Sequence, residues 1–282
     1  GKALYFDGIN DYVTIPDDPS FDTVESTGEL TMEAWIKADD SENDYLIARY
    51  DGAGDDDDWI MRKSISGNLA CFYRNGGGWR ESTQNIADGE WHHVICSYNG
   101  TTRLQYVDGQ LAFSEEFSYS PTGGDTPFEF GFNNPSSSSY FTGIMDDIRI
   151  FNRSLSQNEI SHIYSSGNNS QYVSGLNRTG LIGEWRFDET SGSAVLDNSG
   201  QDNDGALQPS ESTGPQRVSS LINESPGRAD GRFLQGIEFD GTDDYVHAGN
   251  FSFPTPATII MWIKPKSHQD YQSAVGSFPD ST

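Results

Sequence analysis

The chain has 282 residues, of which 43 are acidic and 17 basic, and its formal net charge is −26 at pH 7. A field this negative repels phosphates and argues against nucleic-acid binding, and no apolar run is long enough to span a membrane. Aromatic residues make up 12 % of the chain, which argues against a disordered acidic tail because they can bury a core.

The acidic surplus comes mainly from aspartate, with 28 Asp against 5 Lys. Such a surface is typical of proteins from salt-loving organisms, because strong salt screens the mutual repulsion of the carboxylates. The alternative is an acidic secreted protein with several cation sites. The chain opens with Gly1 and shows no hydrophobic leader, so we expect a processed or excised product.

In chain order, almost every ordered segment is predicted to be a short strand bounded by Gly, Pro, Asn or Asp. Asp108-Gly109 indicates a hairpin, and residues 156–164 are the one predicted helix, with Ser156 and Glu159 as a capping box. The pattern predicts an all-β sandwich. The predicted strands include Ala3–Asp7, Leu30–Lys37, Trp59–Lys63, Leu69–Arg74, Trp91–Tyr98, Arg103–Val107 and Ile144–Phe151.

An internal repeat sets the expected domain organisation. The segment from Leu4 to Val13 recurs from Ile237 to Val246, and the segment 30–37 is echoed by 257–264. We therefore expect a first sandwich over residues 1–167, a linker over 168–180, and the N-terminal part of a second sandwich over 181–282. The second copy has no counterpart of the later strands of the first, so we expect a fragment of a longer multidomain protein, or strands supplied by another chain.

These segments resemble a laminin-G-like domain of the concanavalin A-like lectin/glucanase superfamily. The resemblance covers residues 3–167, and residues 181–264 resemble the opening of a second such domain. It implies a two-sheet antiparallel jelly roll, which usually serves as a recognition module in extracellular proteins, although the superfamily includes both lectins and glycosidases. The matching segments are Phe6-Asp-Gly, Asp11-Tyr-Val, Thr31-Met-Glu-Ala-Trp-Ile, Trp91-His-His-Val, Tyr106-Val-Asp-Gly and residues 141–160.

Two acidic constellations are candidate Ca²⁺ sites, because Ca²⁺ prefers six to eight oxygen ligands. If the first and last strands pair, as the resemblance implies, Asp7, Asn10 and Asp11 would meet Asp146 and Asp147. The alternative is that Asp7 and Asp11 form Asx turns and that Asp146 hydrogen-bonds to the facing loop.

The second constellation lies in the acidic loop 51–58. By resemblance to the pentraxins, Asp57 and Asp58 would share Ca²⁺ with Asn133 and Asn134; the alternative is a solvated, salt-adapted loop. Pro135 and four serines replace the acidic residues expected after Gly131, which departs from the pentraxin pattern. The run 197–204 lacks the register of a calcium-binding loop and is better interpreted as a turn.

Other candidate residues concern glycan contacts, a disulfide and glycosylation. Aromatic and amide side chains near loops would stack on sugar rings, and the candidates are Trp59, Tyr73, Asn75, Trp79 and Tyr140. Cys71 and Cys96 form either a bridge across the sandwich or two buried thiols. Sequons occur at Asn99, Asn152, Asn168, Asn177, Asn223 and Asn250.

No catalytic constellation is present in the sequence. The glucanases of this superfamily place their carboxylates by a Glu-x-Asp-x-Glu pattern on one strand, and this pattern does not occur. We therefore expect a non-catalytic, calcium-dependent or calcium-stabilised adhesion module that binds glycans or a surface glycoprotein outside the cell. The alternatives are a structural spacer or strand-exchanging filament subunit, and an accessory domain of a polysaccharide-degrading enzyme.

Overall fold

The computed structural model describes residues 2–38, 40, 42–50, 59–73, 78–118, 125–132, 140–167, 175–208, 214–219, 228–229 and 236–237. The chain divides into two units, Gly1–Asn223 and Glu224–Thr282. The elements are β1 (Lys2–Asp7), β2 (Tyr12–Ile15), α1 (Thr23–Thr27), β3 (Leu30–Lys37), β4 (Asp44–Arg49), β5 (Trp59–Lys63), β6 (Asn68–Tyr73), β7 (Arg80–Asn85), β8 (Trp91–Tyr98), β9 (Thr102–Val107), β10 (Gln110–Glu116), β11 (Phe128–Phe130), β12 (Thr142–Phe151), α2 (Gln157–Gly167), β13 (Leu181–Trp185), β14 (Ala194–Val195), β15 (Gly205–Gln208), β16 (Gln216–Ser219), β17 (Arg228–Ala229) and β18 (Gly236–Ile237).

Two antiparallel sheets form the first unit and confirm the predicted sandwich. The first sheet has the strand order β10-β9-β8-β3-β12-β1-β16, with β13 also paired to β12. The second sheet has the order β14-β15-β2-β11-β4-β5-β6-β7. Cys71 on β6 and Cys96 on β8 form a disulfide between the sheets, with their Cα atoms 6.0 Å apart, so the bridged alternative is the one observed.

The central strand β3 shows why the first sheet is buried on both faces. Its residues Leu30, Met32, Ala34 and Ile36 belong to the main core between the sheets. On the outer face, α2 packs on the sheet through a second apolar cluster. Because both faces are covered, every residue of β3 except Lys37 is buried. The second cluster consists of Ile95, Tyr106, Phe151, Leu155, Ile160, Ile163 and Leu181.

The structure contains the hairpin and the capped helix that the sequence predicts. The hairpin between β9 and β10 turns at Asp108 and Gly109, whose φ angles are 50° and 74°. Positive φ at both central residues is the signature of a type I′ turn, which suits the twist of paired strands. Helix α2 begins one residue after Ser156, and the backbone N–H of Ser156 donates a hydrogen bond to Glu159 at 2.9 Å. The predicted helix and capping box are both confirmed.

The carboxylate of Glu159 also accepts hydrogen bonds from Arg153, at 2.7 and 3.1 Å. The hydrogen bonds from Arg153 lower the pKa of Glu159 to about 2, although partial burial opposes them. A carboxyl group whose pKa is lowered by folding stabilises the protein above its unfolded pKa, and this contribution is lost as the pH falls through the folded value.

We expect Glu159→Gln to lower the free energy of unfolding by about 1 kcal/mol at pH 7. The difference from the wild type should shrink as the pH falls from the ordinary value of 4.5 towards 2. Urea unfolding at several pH values measures this. Glu90→Gln, at an exposed carboxylate, is the control, and a deficit that stays constant down to pH 2 would contradict the assignment.

The C-terminal part of the first unit departs from the expected domain boundary. Strand β13 pairs with β12, β15 pairs with β2, and β16 pairs with β1. These three strands thus belong to the same two sheets as the strands before residue 167, whereas a second copy was expected to begin at residue 181. Within the second unit, β17 and β18 pair with each other. Most of the predicted second copy lies outside the described residues, and its fold stays a prediction.

Candidate functional site

The outer face of the second sheet carries a group of half-buried aromatic side chains around Trp79. Along β5 and β6, Met61 and Cys71 belong to the core, so their neighbours Arg62 and Phe72 point to the opposite face because strand side chains alternate. Tyr45 on β4 is paired with Arg62. We name these four residues, Tyr45, Arg62, Phe72 and Trp79, the Trp79 cluster.

The contacts of the Trp79 cluster centre on the indole ring. The guanidinium carbon of Arg62 lies 3.6 Å from the ring centroid of Trp79, and the rings of Phe72 and Tyr45 lie 5.3 and 6.3 Å from it. Burial lowers the pKa of Arg62, and a hydrogen bond with Tyr45 opposes this shift. The Nε atom of Arg62 is buried and has no hydrogen-bond partner. The cluster therefore combines half-buried aromatic rings with a guanidinium group that lies over one of them.

A second aromatic group lies on the same face. Tyr12 on β2 alternates with the core residue Val13, and its ring lies 5.2 Å from Phe132. Phe132 stacks on Tyr140 with a centroid distance of 4.5 Å and an interplanar angle of 9°. Burial raises the pKa of Tyr12, and the nearby Glu129 and Tyr140 raise it further. Polar and aromatic groups therefore meet here as well.

The two groups are linked across the second sheet by a row of directly paired residues. The row runs from β2 through β11, β4 and β5 to β6, as Thr14, Glu129, Ala48, Ile60 and Phe72. Ala48 and Ile60, in the middle of the row, are buried. Of the half-buried aromatic residues, Phe72 therefore lies at one end of the row, and Tyr12 lies near the other end, two residues from Thr14 on β2.

Two of the aromatic residues predicted to contact glycans are instead part of the core. Trp59 and Tyr73 are fully buried; Trp59 packs near Phe128, and Tyr73 near Tyr98. Both lie at the ends of predicted strands, but they occupy core-facing positions of those strands and cannot stack on a ligand from solvent. Trp79 and Tyr140 remain candidates, and Asn75 lies outside the described residues.

The first predicted calcium site does not assemble. In the pairing of β1 with β12, Asp7 lies opposite Thr142, four residues along the strand from Asp146. The carboxylate of Asp7 accepts a hydrogen bond from the Ile9 N–H, and Asp11 accepts one from the Asp7 N–H. Asp7 thus forms the expected Asx turn, whereas Asp11 accepts from a residue four positions earlier in the chain, and Asn10 is exposed between them. The antiparallel register of β1 and β12 therefore keeps Asp7 apart from Asp146, although the sequence predicts that they meet.

Among the described residues, no group of three or more His, Cys, Asp or Glu side chains is arranged to hold a metal ion. The second predicted site, at Asp57, Asp58, Asn133 and Asn134, lies outside the described residues. In the run 197–204, Asp197 accepts hydrogen bonds from the N–H groups of Ser199 and Asn203, which agrees with its interpretation as a turn.

Asp147 belongs to a buried charged network on the outer face of the first sheet. Arg149 donates to Glu33 at 2.9 Å, to Glu184 at 3.0 Å and to Asp147 at 3.2 Å. Burial raises the pKa of Glu33, but His93 and Arg149 outweigh it and lower the pKa overall. Burial, together with the charge of Asp147, raises the pKa of Asp146 well above its usual value. Asp147 is therefore paired with Arg149, and Asp146 accepts a hydrogen bond from the Asp147 N–H at 2.8 Å.

The sequons fall in different environments. Asn99 and Asn177 are exposed, although the Asn177 amide donates to Glu159 at 3.0 Å. The Asn152 amide donates to Thr23 at 2.9 Å in a part-buried position. Asn168, Asn223 and Asn250 lie outside the described residues. Asn99 and Asn177 are thus the described sequons at exposed positions.

Comparisons with known proteins agree with this fold. A family model described as the concanavalin A-like lectin/glucanases superfamily matches residues 7–161, and curated proteins show no significant match. A "putative carbohydrate binding protein" from Bacteroides ovatus is similar at 18 % identity and a TM-score of 0.56, over 77 % of this chain and 59 % of that one. This chain therefore spans less than two thirds of the Bacteroides protein.

Two further solved structures are similar at lower scores. A heptameric SAP-like pentraxin from Limulus polyphemus has 14 % identity and a TM-score of 0.49, over 73 % of this chain and 94 % of the pentraxin. Domains LG4-5 of the mouse laminin alpha1 chain have 18 % identity and a TM-score of 0.41, over 53 % and 40 % of the two chains. At these identities, the likenesses concern the fold alone. No helix in the described parts of the chain is long and apolar enough to cross a membrane.

Proposed function

The chain belongs to the laminin G-like branch of the concanavalin A-like lectin/glucanases superfamily, and from this premise we propose that it is a non-catalytic module that binds glycans through the outer face of its second sheet. The observation that carries the proposal is the Trp79 cluster. Its half-buried aromatic rings, Tyr45, Phe72 and Trp79, provide apolar faces for sugar C–H groups, and the Tyr45 hydroxyl would supply a polar contact.

The charge of the chain restricts the class of glycan. A net charge of −26 repels polyanions, so we expect neutral glycans to bind better than sulfated or uronic acid polymers at low salt. We place the module outside the cell, as part of an adhesive surface protein, because such domains are usually found there. Calcium held by Asp57, Asp58, Asn133 and Asn134 is included in the proposal as a stabiliser or a bridge to the ligand.

The test is a glycan array in high salt with the wild type and Trp79→Ala, each with Ca²⁺ and with EDTA. We expect the variant to lose at least about tenfold in affinity, equivalent to about 1.4 kcal/mol, while a cooperative unfolding transition well above the assay temperature shows that it is still folded. Tyr5→Ala, at a 40 % exposed residue on the first sheet, is the matched control and should bind normally.

Each outcome of this experiment has a distinct meaning. Equal binding by wild type and Trp79→Ala would place the glycan site elsewhere. Absence of binding to every glycan, in both calcium conditions, would contradict the proposed function. Binding that persists in EDTA would remove calcium from the proposal and leave the aromatic site intact.

A further inference from the structure

The described residues between 175 and 219, namely 175–208 and 214–219, close the sandwich formed by the earlier strands, and we call residues 175–219 the closing segment. The segment spans both sheets. In the first sheet, β13 places Trp185 opposite Ile148, and β16 pairs with β1. In the second sheet, β15 places Ala206 opposite Thr14 and Leu207 opposite Val13. The strands of this segment thus pair with three strands of the sandwich, β12, β2 and β1.

The closing segment contributes several apolar side chains to the core between the two sheets. Trp185, Phe187, Val195 and Leu207 are at most 2 % exposed and belong to the main core. The Trp185 ring meets Phe130 edge to face at 5.0 Å. Without the segment, the partners of these side chains would face water, and an apolar surface of that kind promotes association. The sandwich therefore requires a closing segment from some source.

The closing segment also holds its own shape. The Asp197 carboxylate accepts hydrogen bonds from the backbone N–H groups of Glu184, Ser199 and Asn203. The Asn203 amide donates to the carbonyl of Ile182 at 2.8 Å, and the Trp185 indole donates to the carbonyl of Asn203 at 2.9 Å. These bonds lie within the segment and hold β13 against the turn that follows it, while Glu184 and Asn203 also bond to Arg149 and Ser20 of the remaining sandwich.

The position of the closing segment in the sequence offers it more than one acceptor. It follows the first copy of the Phe-Asp-Gly motif and precedes the second, in which Ile237 corresponds to Leu4, 233 residues earlier. A sandwich that accepts the segment from its own chain offers the same acceptor strands to the segment of another copy. Exchanged and unexchanged pairings are identical, so their free energies differ mainly through the connection and the chain concentration.

We infer that the closing segment is exchangeable, and that the strands β12, β2 and β1 form an acceptor surface for residues 175–219 of a second copy of this chain. Reciprocal exchange would link two chains through native strand pairs. The exchange would join neighbouring modules without any new interface, and it is independent of glycan binding at the Trp79 cluster.

Two cysteine variants test the exchange directly. Thr14 and Ala206 lie opposite each other on β2 and β15, and both native cysteines are engaged in the disulfide. Chains carrying Thr14→Cys and chains carrying Ala206→Cys are mixed, unfolded and refolded together with the native disulfide intact, and then oxidised. We expect mixed disulfide dimers whose yield rises with protein concentration.

Controls make every outcome informative. Thr14→Cys with Ala206→Cys in one chain should cross-link within the monomer at low concentration, which shows that the geometry permits the bond. Thr14→Cys mixed with Ser161→Cys, at an exposed position on α2, measures random collision. Mixed dimers no more abundant than in this control would overturn the exchange, while the internal cross-link would leave the closed sandwich in place.

A further variant separates docking from cysteine chemistry. A Cβ atom at Gly205 would lie 2.8 Å from the Thr14 carbonyl oxygen and would also clash with the Ile15 side chain. Gly205→Val in the Ala206→Cys chain should therefore reduce mixed dimers at least fivefold. Failure of the double-cysteine chain to cross-link internally, or an undiminished dimer yield with Gly205→Val, would refute the pairing on which the proposal rests.

Discussion

Replacement of Trp185 by alanine should lower the free energy of unfolding by about 3–5 kcal/mol, the usual cost of removing a fully buried aromatic side chain. The ring is completely buried against Phe130, and its indole N–H donates to the Asn203 carbonyl inside the closing segment. The variant loses packing and a hydrogen bond together. Denaturant unfolding at high salt, followed by tryptophan fluorescence and circular dichroism, measures the change.

The same variant tests where the closing segment belongs. Leu196→Ala, at a 46 % exposed residue of the same segment, should cost less than about 0.5 kcal/mol. Hydrogen exchange should speed up in Trp185→Ala at β12 and β2, the strands that contact the segment. If exchange there stayed unchanged, the segment would not be part of this sandwich.

Arg149→Met should have an effect of similar size, about 3–5 kcal/mol at pH 7, because it leaves Glu33 and Glu184 buried without their shared cation. Both carboxylates are fully buried, and Arg149 donates to them at 2.9 and 3.0 Å. Met keeps the length and apolar stem of the side chain, so the charge is the main loss. Chemical unfolding of wild type and variant gives the difference.

The pH dependence distinguishes this mechanism from poor packing. In the wild type the pKa values of Glu33 and Glu184 lie below the ordinary value of 4.5, so their contribution to stability is present above pH 4.5 and is lost as the pH falls. In Arg149→Met, the buried carboxyl groups of Glu33 and Glu184 lose this cation, and their pKa values should rise. Their protonation then removes the free-energy cost of burying unpaired charges.

The stability gap between wild type and Arg149→Met should therefore narrow from pH 7 to pH 4. Arg178→Met removes a 35 % exposed partner of Glu184 at 2.9 Å and should cost about 1 kcal/mol or less. A gap that is independent of pH would mean that packing, and not charge, dominates at Arg149.

One residue of the Trp79 cluster could be predicted from the sequence, and the other three could not. Trp79, which follows three glycines, was identified as a loop-proximal aromatic residue, but Tyr45, Arg62 and Phe72 were missed. These three lie inside strands, where a single sequence indicates alternation but not which face is the core. Trp59 and Tyr73 were misassigned for the same reason, since both occupy the core-facing positions of β5 and β6.

By itself, the sequence determined the features that depend on near neighbours in the chain. The all-β class, the Asp108-Gly109 hairpin and the capping box of α2 follow from alternation, turn residues and spacings of a few residues, which act locally. Only the tertiary structure decided which distant segments meet. The register of β1 with β12 separates Asp7 from Asp146, and the pairing of β13, β15 and β16 assigns the closing segment to the first sandwich. Both outcomes depend on long-range strand pairing, which is chosen by the packing of a whole core and which no local pattern specifies.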